Sequence, residues 1–194
     1  MIGARNVCTD LPARSSNCLA HPCAAAAARL PMPLLVLDTN VVLDWLYFAD
    51  PRCAGLAQAV AAGQVRWLAT TPMRDELRHV LERGVRPARP GDSAAVWAGW
   101  QRWASLVEPE GRAVPAGLRC TDPDDQKFID LALQAGACAL LSRDRAVLKL
   151  ARRAAVQGLR IESATAWSRR QVGGAVAQLD CLAPRLVAIP LRCS

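Results

Sequence analysis

Leu34-Leu35-Val36-Leu37-Asp38-Thr39-Asn40-Val41 is the stretch on which the fold turns. Four apolar residues closed by an acid are too short for a helix. They fit a strand buried in a parallel sheet. Asn40–Tyr47 then carries Val41, Val42, Trp45 and Leu46 on one helical face. A second helix is expected over Cys53–Ala62, ended by Gly63, and a second strand over Val65–Ala69. Thr71-Pro72 reads as cap and first turn of a helix reaching about Arg83, with Asp75 and Glu76 near its positive end. Further helices are expected from Asp92-Ser93, over Asp122–Ala135 and over Asp144–Ala154. Leu106-Val107, Ala137–Leu141 and Leu159–Ile161 supply three more strands. Strands that alternate with helices argue for a parallel sheet with helices on both faces. Right-handed crossovers place every strand's carboxyl end at one edge of it.

Composition bounds the rest. The chain has 194 residues, 52% of them hydrophobic and 21% charged, which suits one domain with a sizeable core. Three segments are expected. Residues 1–31 hold five consecutive alanines (Ala24–Ala28) and no core period beyond a short helix over Ala24–Leu30. They read as an unstructured extension or an over-extended start before Met32. Residues 32–170 form the domain, and 171–194 a tail with Gly173-Gly174. No run of 18 apolar residues exists, so no membrane span is expected. The net charge of +7 is compatible with a polyanionic partner and does not demonstrate one. Eight cysteines show no C-x-x-C spacing, which disfavours a zinc ribbon, and Cys138 reads as a small core residue. With no signal peptide visible, a reducing cytoplasm is the expected location.

The acids fall at the strand ends. Asp38 closes the first strand, and Glu76 lies one turn into the helix after the second. Asp125 stands among Asp122, Asp124 and Asp130 before the fourth strand, and Asp144 just follows that strand. Ligands of open parallel sheets bind at this edge. Four converging carboxylates repel one another unless a cation neutralises them, and oxygen-only donors select hard cations such as Mg²⁺ or Mn²⁺. Such a site suits phosphodiester hydrolysis. Each acid taken singly also has a plain reading as a helix cap or surface ion-pair partner.

These segments carry a family resemblance. Leu34–Val41 resembles the opening motif of PIN-domain ribonucleases, and Thr71-Pro-Met-Arg-Asp-Glu-Leu77 the second. Asp122-Pro-Asp-Asp-Gln-Lys-Phe-Ile129 is similar to the third, in the form found among toxin components of bacterial toxin–antitoxin systems. Leu140-Leu-Ser-Arg-Asp-Arg-Ala-Val-Leu148 is similar to the fourth. The four occur in order across Pro33–Trp167, about 70% of the chain. The resemblance implies an α/β/α sandwich around a mainly parallel, about five-stranded sheet, Mg²⁺- or Mn²⁺-dependent cleavage of single-stranded RNA, and a cognate antitoxin and a homodimer as partners. It implies Asp38, Glu76, Asp125 and Asp144 as metal-binding and catalytic acids. Asp125 is favoured over Asp124 by its interval to Phe128-Ile129, with Asp124 the competitor. Asn40 is expected to support Asp38 through its side-chain amide, and Ser142 to orient Asp144 or a water.

Two rivals compete with this reading. Asp38-Thr39-Asn40 is also similar to the nucleophile loop of haloacid-dehalogenase-type phosphatases, but their second Asp is replaced here by Asn40. A catalytically inactive PIN-fold module that binds RNA or protein is the other. His79, three residues after Glu76, reads as an exposed helix residue. Trp97, Trp100 and Trp103 read as packing or interface residues rather than base-stacking platforms.

Overall fold

In a computed structural model of the chain, residues 32–85, 93–108 and 118–173 are described. The expectations for residues 1–31, for the tail from 174 on and for the loop prolines at 87 and 90 lie outside them. β1 (Leu34–Leu37) leads into α1 (Thr39–Leu46), a 3₁₀ turn (Pro51–Cys53) and α2 (Ala54–Ala61). β2 (Arg66–Ala69), α3 (Thr71–Arg83), α4 (Ser93–Trp103) and β3 (Ala104–Leu106) follow. α5 (Gln126–Gln134), β4 (Ala139–Leu141), α6 (Arg145–Leu148), α7 (Ala151–Val156), β5 (Arg160–Glu162) and α8 (Ala164–Gly173) complete the order.

All five strands are parallel, in the order β3-β2-β1-β4-β5. The chain builds outward from β1 to β3, then returns to the other side of β1. The order therefore reverses between β1 and β4, where Leu35, Val36 and Leu37 pair with Ala139, Leu140 and Leu141. Leu35 and Val36 are both fully buried, as are Ala139, Leu140 and Leu141. Successive strand residues face opposite sides, so both faces of the centre are covered and the sandwich has three layers. Aromatic packing closes the β2 side. Trp67 meets Trp100 edge-on at 4.8 Å, and Trp45 lies 5.9 Å from Trp67. Trp100 is buried, and Trp97 and Trp103 pack against the same core.

Several boundaries differ from expectation, each for a local reason. Thr70, not Thr71, occupies the cap position of α3, in extended conformation, and makes no side-chain cap hydrogen bond. The third strand lies at Ala104–Leu106, two residues earlier than expected. The long helix begins at Gln126 rather than Asp122. The Asp122 carboxylate accepts the Asp124 N–H at 2.9 Å and holds residues 121–125 in turns. The expected helix over Asp144–Ala154 is two, because Leu150 N–H bonds Val147 O at 3.0 Å and tightens the ladder between α6 and α7. α8 was not anticipated, and it runs past residue 170 to Gly173. Gly63, at φ +65°, follows α2 in the left-handed conformation that ends helices. Among the described residues Cys53, Cys120 and Cys138 are in no disulfide, and no helix is long and apolar enough to cross a membrane.

Candidate active site

The strand order reverses between β1 and β4, and the carboxyl ends of strands at such a reversal are where open α/β sheets bind ligands. Asp38 leaves β1 there. Its N–H extends the ladder to Leu141 O at 3.0 Å, and its carbonyl takes the first turn of α1. Its side chain is only 2% exposed and uses both oxygens. Oδ1 accepts the Asn40 N–H at 3.2 Å, and Oδ2 accepts the Ser142 hydroxyl at 2.6 Å. Asp38 is thus a helix cap with one oxygen and a cross-strand partner with the other. The contact from Asn40 comes through its backbone N–H, not through the expected side-chain amide.

Ser142 joins the two strand ends. Fully buried, it donates to Asp38 and accepts the Asp144 N–H at 2.9 Å. Asp144 in turn caps α6, accepting the Ala146 N–H at 2.6 Å. Arg143, between them, turns away to the nearly buried Asp44 of α1 at 3.0 Å, so it does not pair with Asp144. Arg143 and Arg145, which flank Asp144 in the sequence, are both exposed residues.

α3 and α5 bring the other two acids. Asp125 stands at the cap position of α5 but makes no side-chain cap hydrogen bond. Gln126 anchors that turn. Its amide nitrogen donates to Asp130 at 2.6 Å and to Leu118 O at 3.3 Å, and its oxygen accepts the Cys120 N–H at 2.7 Å. Glu76, in the second turn of α3, meets the Lys127 ammonium at 2.7 Å. Asp124 is exposed, and its backbone carbonyl accepts from Lys127. His79 is exposed, with Nδ1 2.9 Å from Asp75 O.

Electrostatics ties the four acids together. Burial, more than any other cause, raises the Asp38 carboxyl above its ordinary range; Glu76 and Asp144 push the same way, against the hydrogen bonds from Ser142 and Asn40. Asp125 is pushed up to about 6, first by burial and then by the negative charges of Asp38, Asp144, Asp122 and Glu76. Among the described residues, however, no three acid, histidine or cysteine side chains are gathered closely enough to form a ready-made metal cage. The donor chemistry still fits a hard divalent ion. All donors are carboxylate oxygens, the negative charge of the others raises Asp38 and Asp125, and Glu76 Oε2 is buried with no hydrogen bond of sound geometry beyond its ion pair with Lys127.

Three contributors were not legible beforehand: Lys127 on Glu76, Gln126 under Asp125, and Arg143 on Asp44. Lys127 alone carried a signal, as one of only two lysines in an arginine-rich chain. Comparison with curated proteins gives no match. A family model described as PIN domain matches residues 34–146, from the first strand to the start of α6. That span holds every acid described above and more than half the chain, and PIN domains are generally nucleases that use divalent metal ions. By its sequence match and its all-parallel sandwich, the chain belongs to the PIN domain family.

Proposed function

We propose that the chain is an endoribonuclease that cleaves single-stranded RNA with Mg²⁺ or Mn²⁺, and that it serves as the cytoplasmic toxin of a toxin–antitoxin pair. What supports this reading is the PIN domain match together with the link between the adjacent ends of β1 and β4, where Ser142 bonds both Asp38 and Asp144, with Glu76 on α3 and Asp125 at the cap of α5. These four residues would hold the ion. When bound, it supplies a Lewis acid for a phosphate oxygen and an acidified water. The chain's own contribution is positioning. Ser142 and the Asn40 N–H fix the Asp38 carboxylate by both oxygens, and the α6 cap fixes that of Asp144. Exposed Arg143 and Arg145 suit the approach of a polyanion, as does the net charge of +7.

The nuclease test is cleavage of a single-stranded RNA with and without divalent ion. The toxin role is tested by inducible expression in a bacterial host. Growth arrest by the wild type and normal growth with Asp38→Asn support it; unimpaired growth with the wild type opposes it. Antitoxin binding and homodimer formation belong to the same proposal. A second reading, a non-cleaving RNA- or protein-binding module, is favoured by the open arrangement of the carboxylates and by Lys127 on Glu76. Melting in the presence of Mn²⁺ separates the two, because only a metal site gains stability from the ion.

A further inference from the structure

Lys127 stands in the first turn of α5, two residues after Asp125 at the cap position. Its ammonium has three neighbours: Glu76 Oε2 at 2.7 Å, the carbonyl of Asp124, and the face of Phe128 at 5.1 Å from the ring centroid. Glu76 Oε2 takes no hydrogen bond of sound geometry among the described residues, so the ammonium is what offsets its charge. Both side chains are partly open, 26% exposed for Lys127 and 31% for Glu76. The residue type matters. Of 24 basic residues only Lys127 and Lys149 are lysines. An arginine would fork onto both oxygens of the carboxylate, whereas a lysine is a point charge on a flexible stem that can withdraw.

We propose that Lys127 is a resident counter-cation of the acidic crevice: it holds Glu76 in the metal-free protein and yields it to a divalent ion, so that ammonium and metal compete for one carboxylate. Lys127 thereby sets the divalent concentration at which the site fills. The inference rests on the metal reading of the site. It also accounts for the open arrangement of the carboxylates, since Glu76 is engaged elsewhere until the ion arrives.

Mn²⁺ titration calorimetry tests it on four proteins: wild type, Lys127→Gln, Glu76→Gln and the double variant. Lys127→Gln is expected to bind Mn²⁺ about fivefold more tightly than wild type, the order set by losing a partly exposed competitor. In the Glu76→Gln background the same change is expected to move Kd by less than about twofold, because the shared ligand is gone. Equal affinity of Lys127→Gln and wild type overturns the competition and leaves the metal reading intact. An equal gain in both backgrounds also overturns it, since that is general charge repulsion. Absence of Mn²⁺ binding by both the wild type and Lys127→Gln overturns the metal reading and the competition together. Lys127→Arg retains the charge and guards against misfolding of the neutral variant. It is expected to weaken Mn²⁺ binding below wild type, and unchanged affinity contradicts the proposal.

Discussion

Ser142 shows how one small residue organises the crevice. It is fully buried, donates a hydrogen bond to Asp38 and accepts one from the Asp144 N–H. Ser142→Ala leaves both partners without that contact. The expected cost is about 1–3 kcal/mol in stability and about 10- to 100-fold in metal affinity or activity. Denaturant unfolding and Mn²⁺ titration of the one variant measure both; an unchanged metal affinity would contradict its positioning role. Asp125 provides a pH signature. Its carboxyl sits at about 6 in the folded protein against an ordinary 3.8, and Asp38 is raised in the same direction. A folded state that binds protons more tightly than the unfolded one gains stability as pH falls through the folded value. The metal-free protein is therefore expected to melt higher at about pH 5.5 than at about pH 7.5, with a smaller rise in Asp125→Asn. The lowered Asp50 carboxyl acts only in more acidic solution and does not mask this. Equal rises in the two proteins would remove Asp125 from the coupled set. At this scale the places of Asp38 and Asp144 just beyond β1 and β4 were legible because strand-end position is a pattern in sequence. Their partners were not. A backbone N–H from Asn40, the reach of Arg143 to Asp44 and the fall of Lys127 on Glu76 are set by the packing of elements far apart in the chain.

At the scale of elements, strands buried on both faces announced themselves as apolar runs, and β1, β2 and β4 lie where those runs are. What the pattern did not give is where a helix yields to a turn. Residues 122–125 have the polar composition of a first helical turn, but the Asp122 side chain captures a backbone N–H and delays α5 to Gln126. α8 was missed because its sequence, with Ser168, Arg169 and Arg170 beside Trp167, has little apolar periodicity. Tertiary contacts hold it: Trp167 is 1% exposed, and Arg170 pairs with Glu162 of β5. α8 packs on α2 at a close approach. A Cβ added to Gly55 would stand 2.7 Å from Ser168 Oγ and 2.8 Å from Ser168 Cβ, nearer than atoms settle without a shift. Gly55→Ala is accordingly expected to destabilise by about 1–3 kcal/mol, and Ser168→Gly in the same chain to recover part of the loss. Chemical denaturation of the single and double variants decides it; a neutral Gly55→Ala would show that α8 moves freely on α2.

For the whole molecule, the all-parallel order with β1 at its centre makes the crevice a consequence of topology. The first strand carries one acid, the return strand another, and the crossover helices α3 and α5 bring the remaining two. The PIN domain match begins at residue 34, just after Met32. A chain starting at Met32 is therefore expected to equal the full chain in melting temperature and RNA cleavage, and a loss of several degrees (roughly 1 kcal/mol or more) would show that residues 1–31 contribute to the domain. The central claim, that these four carboxylates form a metal-dependent nuclease site, is tested most directly by cleavage of a single-stranded RNA. Wild type and Asp38→Asn are compared with Mn²⁺ and with excess EDTA, after a melt confirms that the variant is folded. The account predicts cleavage by the wild type with Mn²⁺ and in no other combination. Cleavage that persists in EDTA in a preparation free of other nucleases, or at the wild-type rate in Asp38→Asn, would contradict it.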